Sequence, residues 1–116
     1  MTRDIGKVFR INEAALQAAV IELARLHGWL VMHQRPAQVR PGKWITPTTG
    51  DIGFPDLVLA HPTRGVIFAE LKTAVGRTSP DQQKWISTLK AAGCEVHVWR
   101  PADIQTIRQR LETTNG

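Results

Sequence analysis

Two apolar runs with a short turn between them constrain the fold of this chain more than any other feature. The runs cover Leu57 to Ala60 and Val66 to Leu71, and the residues HPTRG separate them. Apolar runs of this length, bounded by turn residues, are typical of buried strands joined as a hairpin. We therefore expect a hairpin buried on both faces, at the centre of a sheet that helices flank.

The first part of the chain predicts a helix followed by a strand. Residues 13 to 27 carry apolar side chains at helical spacing, and Asn12 is available as the N-cap. Ile11 and Leu16 are spaced to form an apolar contact across the start of this helix. Gly28 is expected to end the helix, and the four apolar residues after it predict a short strand.

The second half of the chain carries the clearest helix start. The tetrapeptide SPDQ at 79–82 combines an N-cap serine, an N1 proline, an acid in the first turn and a capping-box glutamine. It predicts a helix over 80–92, followed by a strand over 94–99. Because a helix that links two strands of one sheet usually makes them parallel, we expect one parallel pair.

A final helix is expected over about 101–112, with Arg108 and Arg110 on its outer side. The element order is then helix, strand, strand, strand, helix, strand, helix. This order is typical of an α/β protein with a mixed central sheet and, here, an extra C-terminal helix.

Composition limits the classes of protein to which the chain can belong. A length of 116 residues suits a single domain spanning 1–116, and 42% hydrophobic residues suit a folded chain. Cys94 is the single cysteine, so no internal disulfide can form, which is typical of a reducing cytoplasm. No apolar stretch approaches the roughly 18 residues of a membrane span. We expect a cytoplasmic protein without a membrane role.

Residues 35–53 are rich in proline and glycine and predict a long basic loop without regular structure. The chain has 15 basic against 10 acidic residues and a net charge of +5, which favours nucleic acid as a partner. Long loops inside a compact domain often bind something, so we expect this segment to contact DNA. The candidate contact residues, including one in a later loop, are Arg35, Arg40, Lys43, Trp44 and Arg77.

Three charged residues stand beside the central hairpin. If the hairpin is symmetric about Thr63, then Asp56 and Glu70 stand opposite each other. Two facing carboxylates repel each other unless a cation lies between them, and hard oxygen ligands suit magnesium or manganese. Lys72 projects from the same face as Glu70, since side chains alternate along a strand. The trio predicts metal-assisted hydrolysis of phosphodiester bonds.

A purely structural interpretation of the same residues stays open. Glu70 and Lys72 can form an ordinary ion pair at a solvated strand end, and Asp56 can be a turn residue after Pro55. The apolar run before Glu70 favours the functional interpretation, because it places the charges beside the core, where unpaired charge is costly.

The same residues resemble a known family. Pro55, Asp56, Glu70 and Lys72 are similar to the PD-(D/E)xK nuclease signature, and the wider frame resembles the VRR-NUC family over about residues 12 to 100. Residues matching that frame are Gly53, Pro55, Asp56, Leu57, Glu70, Lys72, Gly76, Ser79, Pro80 and Gln82.

The resemblance implies a restriction-endonuclease-like αβββαβ core and a DNA nuclease that needs Mg²⁺ or Mn²⁺, often with a preference for branched DNA. It implies a phage or bacterial homodimer without a small-molecule cofactor. Asp56, Glu70 and the Leu71 carbonyl would hold the metal, and Lys72 would orient the attacking water. The resemblance adds Glu13, at the start of the first helix, and Gln82 as further site residues, although the capping box alone also explains Gln82.

Two other classes of function remain open. The chain could be a catalytically silent DNA-binding module with the same fold, in which case the intact acidic and basic site residues have lost their role. It could also be a scaffold whose four tryptophans serve packing and interfaces. These tryptophans are Trp29, Trp44, Trp85 and Trp99.

Overall fold

The computed structural model describes residues 12–33, 37–45 and 49–112 and has an α/β fold. Its elements, in chain order, are α1 (Glu13–Leu26), β1 (Leu30–His33), β2 (Ala37–Arg40), β3 (Lys43–Ile45), β4 (Leu57–His61), β5 (Gly65–Leu71), α2 (Pro80–Ala91), β6 (Glu95–Trp99), a 3₁₀ turn (Pro101–Asp103) and α3 (Ile104–Leu111). Within these segments no helix combines the length and apolar character that crossing a membrane requires.

Four strands form the main sheet in the order β1-β4-β5-β6. β4 pairs antiparallel with both β1 and β5, whereas β5 and β6 run parallel, joined by α2. The predicted mixed sheet, flanked by helices and with one parallel pair, is therefore confirmed. Because β5 and β6 are parallel, their carboxyl-terminal ends lie at the same edge of the sheet, and Leu71 pairs with Trp99 there.

The capping signals act as the sequence predicts. The Asn12 side chain accepts a hydrogen bond from the Ala15 amide at 2.7 Å, so α1 begins where expected. Ser79 caps α2 by accepting from the Gln82 amide, and the Gln82 side chain accepts from the Ser79 amide. Ile11, whose contact with Leu16 was predicted, lies outside the described residues.

The core lies between one face of the sheet and helices α1 and α3. Apolar residues at helical spacing on both helices meet the alternate residues of β4 and β5 that point to this side. The fully or almost fully buried members are Leu16, Val20, Ala24, Trp29, Leu57, Leu59, Ile67, Ala69, Leu71, Trp99, Ile107 and Leu111. The Trp29 indole donates a hydrogen bond to the Leu111 carbonyl at 2.9 Å, which ties the segment after α1 to the end of α3.

The sequence predicts a central hairpin that is buried on both faces, and this prediction is wrong. β4 alternates between buried and half-buried residues, and Val66 of β5 is 47% exposed. The second face of the sheet is covered by α2, which has no fully buried residue. Leu30 and Met32 of the edge strand β1 are also exposed. An apolar run thus overstates burial, because only one face of this sheet packs against the core.

The segment 35–53 is not the structureless loop that its prolines and glycines predict. Residues 37–45 form an antiparallel hairpin, β2 with β3, as a separate two-stranded sheet. Pro41 and Gly42 make its turn, where Gly42 has a φ of +78° that glycine adopts without strain. The strands are only four and three residues long, too short for a visible alternating pattern.

Arg110 does not stay on the outer side of the last helix. Its guanidinium lies 5.1 Å from the centre of the Trp29 ring and binds both carboxylate oxygens of Glu95 at 2.9 Å. It also donates to the Arg64 carbonyl in the turn between β4 and β5. The side chain therefore joins α3, β6 and that turn, and its bonds to Glu95 lower the pKa of that carboxyl.

Candidate metal and active site

Asp56 and Glu70 meet at the open end of the central hairpin, as predicted. The last pair of the ladder is Leu57 with Ala69, so the next residues of the two strands face each other. Each carboxylate binds the other strand: Glu70 Oε1 accepts from the Asp56 amide at 3.3 Å, and Asp56 Oδ2 accepts from the Leu71 amide at 2.8 Å. These reciprocal bonds fix both side chains, because each one replaces a missing rung of the ladder.

Glu70 is the single charged side chain among the fully buried residues described, at 1% exposure. Its Oε2 is buried and accepts no hydrogen bond from the described residues. Lys72 Nζ lies 3.3 Å from this oxygen, as an ion pair without good hydrogen-bonding geometry. The prediction that Lys72 shares a face with Glu70 is therefore confirmed. The site is an acid held inside the protein with one lysine as counter-charge.

The electrostatics of the site disfavour a charged Glu70. Burial, followed by the negative charge of Asp56, raises the pKa of Glu70 to about 7, although Lys72 opposes both effects. Two neighbouring carboxylates in a poorly solvated position cannot both ionise at low cost. A cation between them would remove that cost.

Glu13 belongs to the same electrostatic neighbourhood. It is the first residue of α1, and its pKa is raised by burial and by the charge of Asp56, while Lys72 lowers it. The structure thus brings the helix-start acid near the two hairpin acids, although the sequence separates them by more than 40 residues. Glu13 interacts with Asp56 through its charge. Across the described residues, no three or more acidic, histidine or cysteine side chains are grouped closely enough to hold a metal.

The segment before Asp56 is fixed against α2. Gly53 has a φ of +95°, and a Cβ placed on it would lie 2.6 Å from the Asp81 carbonyl carbon, so only glycine fits there. The Phe54 ring packs edge-on against Phe68 of β5 and Trp85 of α2. These contacts explain why a glycine precedes the Pro-Asp pair and how the start of β4 is held in place.

The donor set suits a hard divalent cation. Asp56 Oδ2 and Glu70 Oε1 each accept a hydrogen bond from a main-chain amide. This leaves Asp56 Oδ1 and Glu70 Oε2 free to bind a ligand. Carboxylate and main-chain carbonyl oxygens are the ligands that Mg²⁺ and Mn²⁺ prefer. The residues present therefore fit such an ion with two protein carboxylates, with the remaining positions left to a main-chain oxygen and solvent.

Gln82 and Arg77, two other predicted site residues, form no hydrogen bond or ion pair with Asp56 or Glu70 in the described part of the structure. Gln82 is engaged in the capping box of α2. Arg77 is exposed in the segment between β5 and α2, and it makes no hydrogen bond or ion pair with the described side chains. Arg40, Lys43 and Trp44 lie on the β2–β3 hairpin by their backbone positions, and their side chains are outside the described part, as is the whole of Arg35.

Arg100 is the residue that sequence reasoning missed. It follows β6 directly, at the edge where β5 also ends, and its guanidinium donates to the carbonyls of Thr73 and Gly76 just beyond Lys72. The signal was present in the sequence: a parallel β5–β6 pair brings the residues that follow each strand together.

Comparison with known proteins agrees with this geometry. A search of curated proteins and a search of solved structures each found no match. The family model described as the VRR-NUC domain matches residues 13–103, most of the chain. The match spans the helix-start acid, both hairpin acids and the α2 cap, and such a domain is of the nuclease type. Because this match covers most of the chain, the chain belongs to the VRR-NUC family.

Proposed function

We propose that this chain is a divalent-metal-dependent deoxyribonuclease that hydrolyses phosphodiester bonds and prefers branched DNA. One observation carries the proposal: buried Glu70 and half-buried Asp56 are held together by reciprocal hydrogen bonds from main-chain amides, and Lys72 lies 3.3 Å from the Glu70 oxygen that accepts no hydrogen bond from the described residues. Buried charge without a ligand destabilises a fold, so its presence at an otherwise well-packed hairpin points to function.

Asp56, Glu70 and the Leu71 carbonyl are the proposed ligands of Mg²⁺ or Mn²⁺. A bound ion of this kind supplies charge neutralisation at the scissile phosphate and a more acidic water. Lys72 holds a water in line with the phosphorus and stabilises the charge that develops on the phosphate oxygens. Glu13, which lies within electrostatic reach of Asp56 and Lys72, is proposed to orient solvent at the same site.

The positive charge of the chain supports DNA as the substrate. The net charge of +5 includes Arg40 and Lys43 at the tip of the β2–β3 hairpin, where they pair across the turn. A two-stranded ribbon with a basic tip suits the groove and phosphates of a duplex. Free Cys94 supports a reducing compartment such as the cytoplasm.

We infer that the working unit is a homodimer. One subunit offers one carboxylate pair, whereas cutting both strands symmetrically needs two such sites related by a two-fold axis. Light scattering at micromolar concentration is expected to give twice the chain mass. A monomer that stays at one subunit per duplex would instead indicate nicking of single strands.

The decisive experiment incubates the purified chain with end-labelled linear duplex and four-way DNA, in Mn²⁺, in Mg²⁺ and in EDTA. We expect cleavage with either metal, faster on the four-way DNA, and none in EDTA. Glu70→Ala, purified in parallel, should bind DNA but not cut it, which excludes a contaminating nuclease. Binding without cleavage by the wild type would support the silent DNA-binding module, and cleavage by Glu70→Ala would reject the site.

A further inference from the structure

We propose that Arg100 is a positioning residue for Lys72: it fastens the turn at 73–76 and so fixes the lysine chain beside Glu70. This inference rests on the proposed nuclease function and extends it to a residue outside the carboxylate and lysine motifs. Arg100 would act through the turn without contact with DNA or metal.

The guanidinium of Arg100 clamps both ends of this turn. Its Nη1 donates to the Thr73 carbonyl at 2.7 Å and to the Gly76 carbonyl at 2.6 Å. Inside the turn, Thr73 Oγ1 accepts from the Gly76 amide at 2.9 Å. Charge-assisted bonds of this length are stronger than neutral ones, so a single side chain closes the turn across a gap of 24 residues or more in sequence.

The clamped turn lies beside the Lys72 side chain. A Cβ placed on Gly76 would lie 3.6 Å from Cδ of Lys72, so the turn backbone packs beside the aliphatic part of the lysine. From the other side, the Lys72 amide donates to the Trp99 carbonyl at 3.0 Å, one residue before Arg100. The lysine is therefore held between the end of β6 and the turn, and only 15% of its side chain is exposed.

The role of Arg100 is specific to this turn. Among the described residues its side chain forms no ion pair with an acid, so its charge is directed at the two carbonyls. Asp103 fixes the main chain at the same place, because its Oδ2 accepts from the Arg100 amide at 2.8 Å. The start of the 3₁₀ turn thus aims Arg100 back toward the end of β5.

The test compares cleavage kinetics of the full chain in Mn²⁺ for wild type, Arg100→Ala and Arg108→Ala. Displacing a catalytic group by about 1 Å can cost roughly 100-fold in rate, so Arg100→Ala should lower kcat about 10- to 100-fold with little change in KM. Arg108→Ala removes the same charge, but its partner Glu112 is remote in sequence from the turn, so kcat should stay at the wild-type value. Equal losses in both variants would overturn the proposal.

Chemical rescue separates positioning from general damage. Added guanidinium at a non-denaturing concentration should restore much of the rate of Arg100→Ala and none of the rate of Lys72→Met. If the alanine variant does not fold, Arg100→Met keeps most of the side-chain length and is expected to show the same loss. Wild-type kcat in a folded Arg100→Ala or Arg100→Met protein would overturn the proposal.

A second readout does not depend on nuclease activity. Hydrogen exchange of the Gly76 amide should accelerate in Arg100→Ala, while the amides of β4 keep their protection. Thr73→Val, which removes the acceptor of that amide, should accelerate it too and lower kcat less. If the wild type cuts no DNA, the proposed function fails, whereas unchanged Gly76 exchange in Arg100→Ala is the result that rejects the clamp itself.

Discussion

Glu70 combines three properties that one carboxylate rarely has together. It is almost fully buried, it faces a second carboxylate, and one of its oxygens accepts no hydrogen bond from the described residues. Each property disfavours the ionised form, and together they raise the pKa of Glu70 to about 7. The metal-free protein therefore carries a destabilising group that ion binding can relieve.

This raised pKa gives the metal-free protein an unusual pH dependence. In the unfolded chain Glu70 loses its proton near its ordinary pKa of 4.5, whereas in the folded protein it keeps it to about 7. Between these values the folded state binds more protons, so the free energy of unfolding should fall as pH rises. The loss should level off above about pH 7, at roughly 3 kcal/mol from this residue.

Glu70→Gln is the matched variant for urea titrations between pH 4.5 and 8.5 in EDTA. Subtracting its curve cancels the other acids and the histidines, so the difference isolates Glu70. We expect the variant to be the more stable protein at pH 8, and Mn²⁺ to stabilise the wild type alone. Parallel curves for the two proteins would show that the pKa of Glu70 in the folded protein is close to its ordinary value.

Lys72 is expected to contribute to the cleavage rate and not to metal affinity. Lys72→Met keeps the length of the side chain and removes its charge, so the carboxylates should still bind Mn²⁺ while cleavage loses most of its rate, about 100-fold or more. Calorimetry with Mn²⁺ and single-turnover cleavage measure the two quantities separately. Lost metal affinity with a normal rate at saturating Mn²⁺ would contradict this division.

At the scale of elements, the start of α2 is fixed by its own capping box and supports the segment that leads to Asp56. Ser79→Ala removes the acceptor for the Gln82 amide and should lower the free energy of unfolding by about 1 kcal/mol. Ser87→Ala is the control, because Ser87 lies exposed inside the helix, where alanine has the better propensity. Equal stability of the two variants in urea would reject the cap.

The role of Gln82 can be examined with the same element. Gln82→Glu keeps an oxygen acceptor for the Ser79 amide, so stability should be retained. Slower cleavage by this stable variant would show that the side chain also serves the active site, and an unchanged rate would leave it as a cap.

At the scale of the whole molecule, the basic segment is expected to bind DNA, and the carboxylate pair is expected to bind the metal, independently of each other. Changing Arg35, Arg40 and Lys43 together to glutamine should weaken DNA binding and flatten its salt dependence, since each phosphate contact contributes about 0.9 to the slope of log affinity against log salt. Affinity for Mn²⁺ should hardly move.

The control for that experiment changes three exposed basic residues elsewhere in the chain, which alters the net charge equally. Arg25, Lys90 and Arg108 lie at the carboxyl-terminal parts of the three helices. If the salt dependence of DNA binding falls equally in both triple variants, only the total charge determines that dependence, and the β2–β3 hairpin does not contact DNA specifically.

Features that depend on residues close together in the chain could be predicted from the sequence alone. Two apolar runs and a short turn set the register of the central hairpin, so Asp56 and Glu70 had to face each other, and Lys72 had to share that face. The capping box likewise set the residue at which α2 begins. The parallel pairing followed from the crossover helix. These features follow from chain geometry over a few residues, or from the one connection that the sheet permits.

The burial and charge interactions of the site, in contrast, arise from the packing of distant segments. Whether Glu70 is buried, how Glu13 joins its neighbourhood, and where the guanidiniums of Arg100 and Arg110 point depend on residues far apart in sequence. Pattern and propensity describe each segment alone, whereas burial and charge coupling arise when several segments pack together. The pKa of Glu70 and the clamp on the turn after Lys72 come from that packing, because solvent exclusion and the direction of a long side chain are properties of the assembled fold.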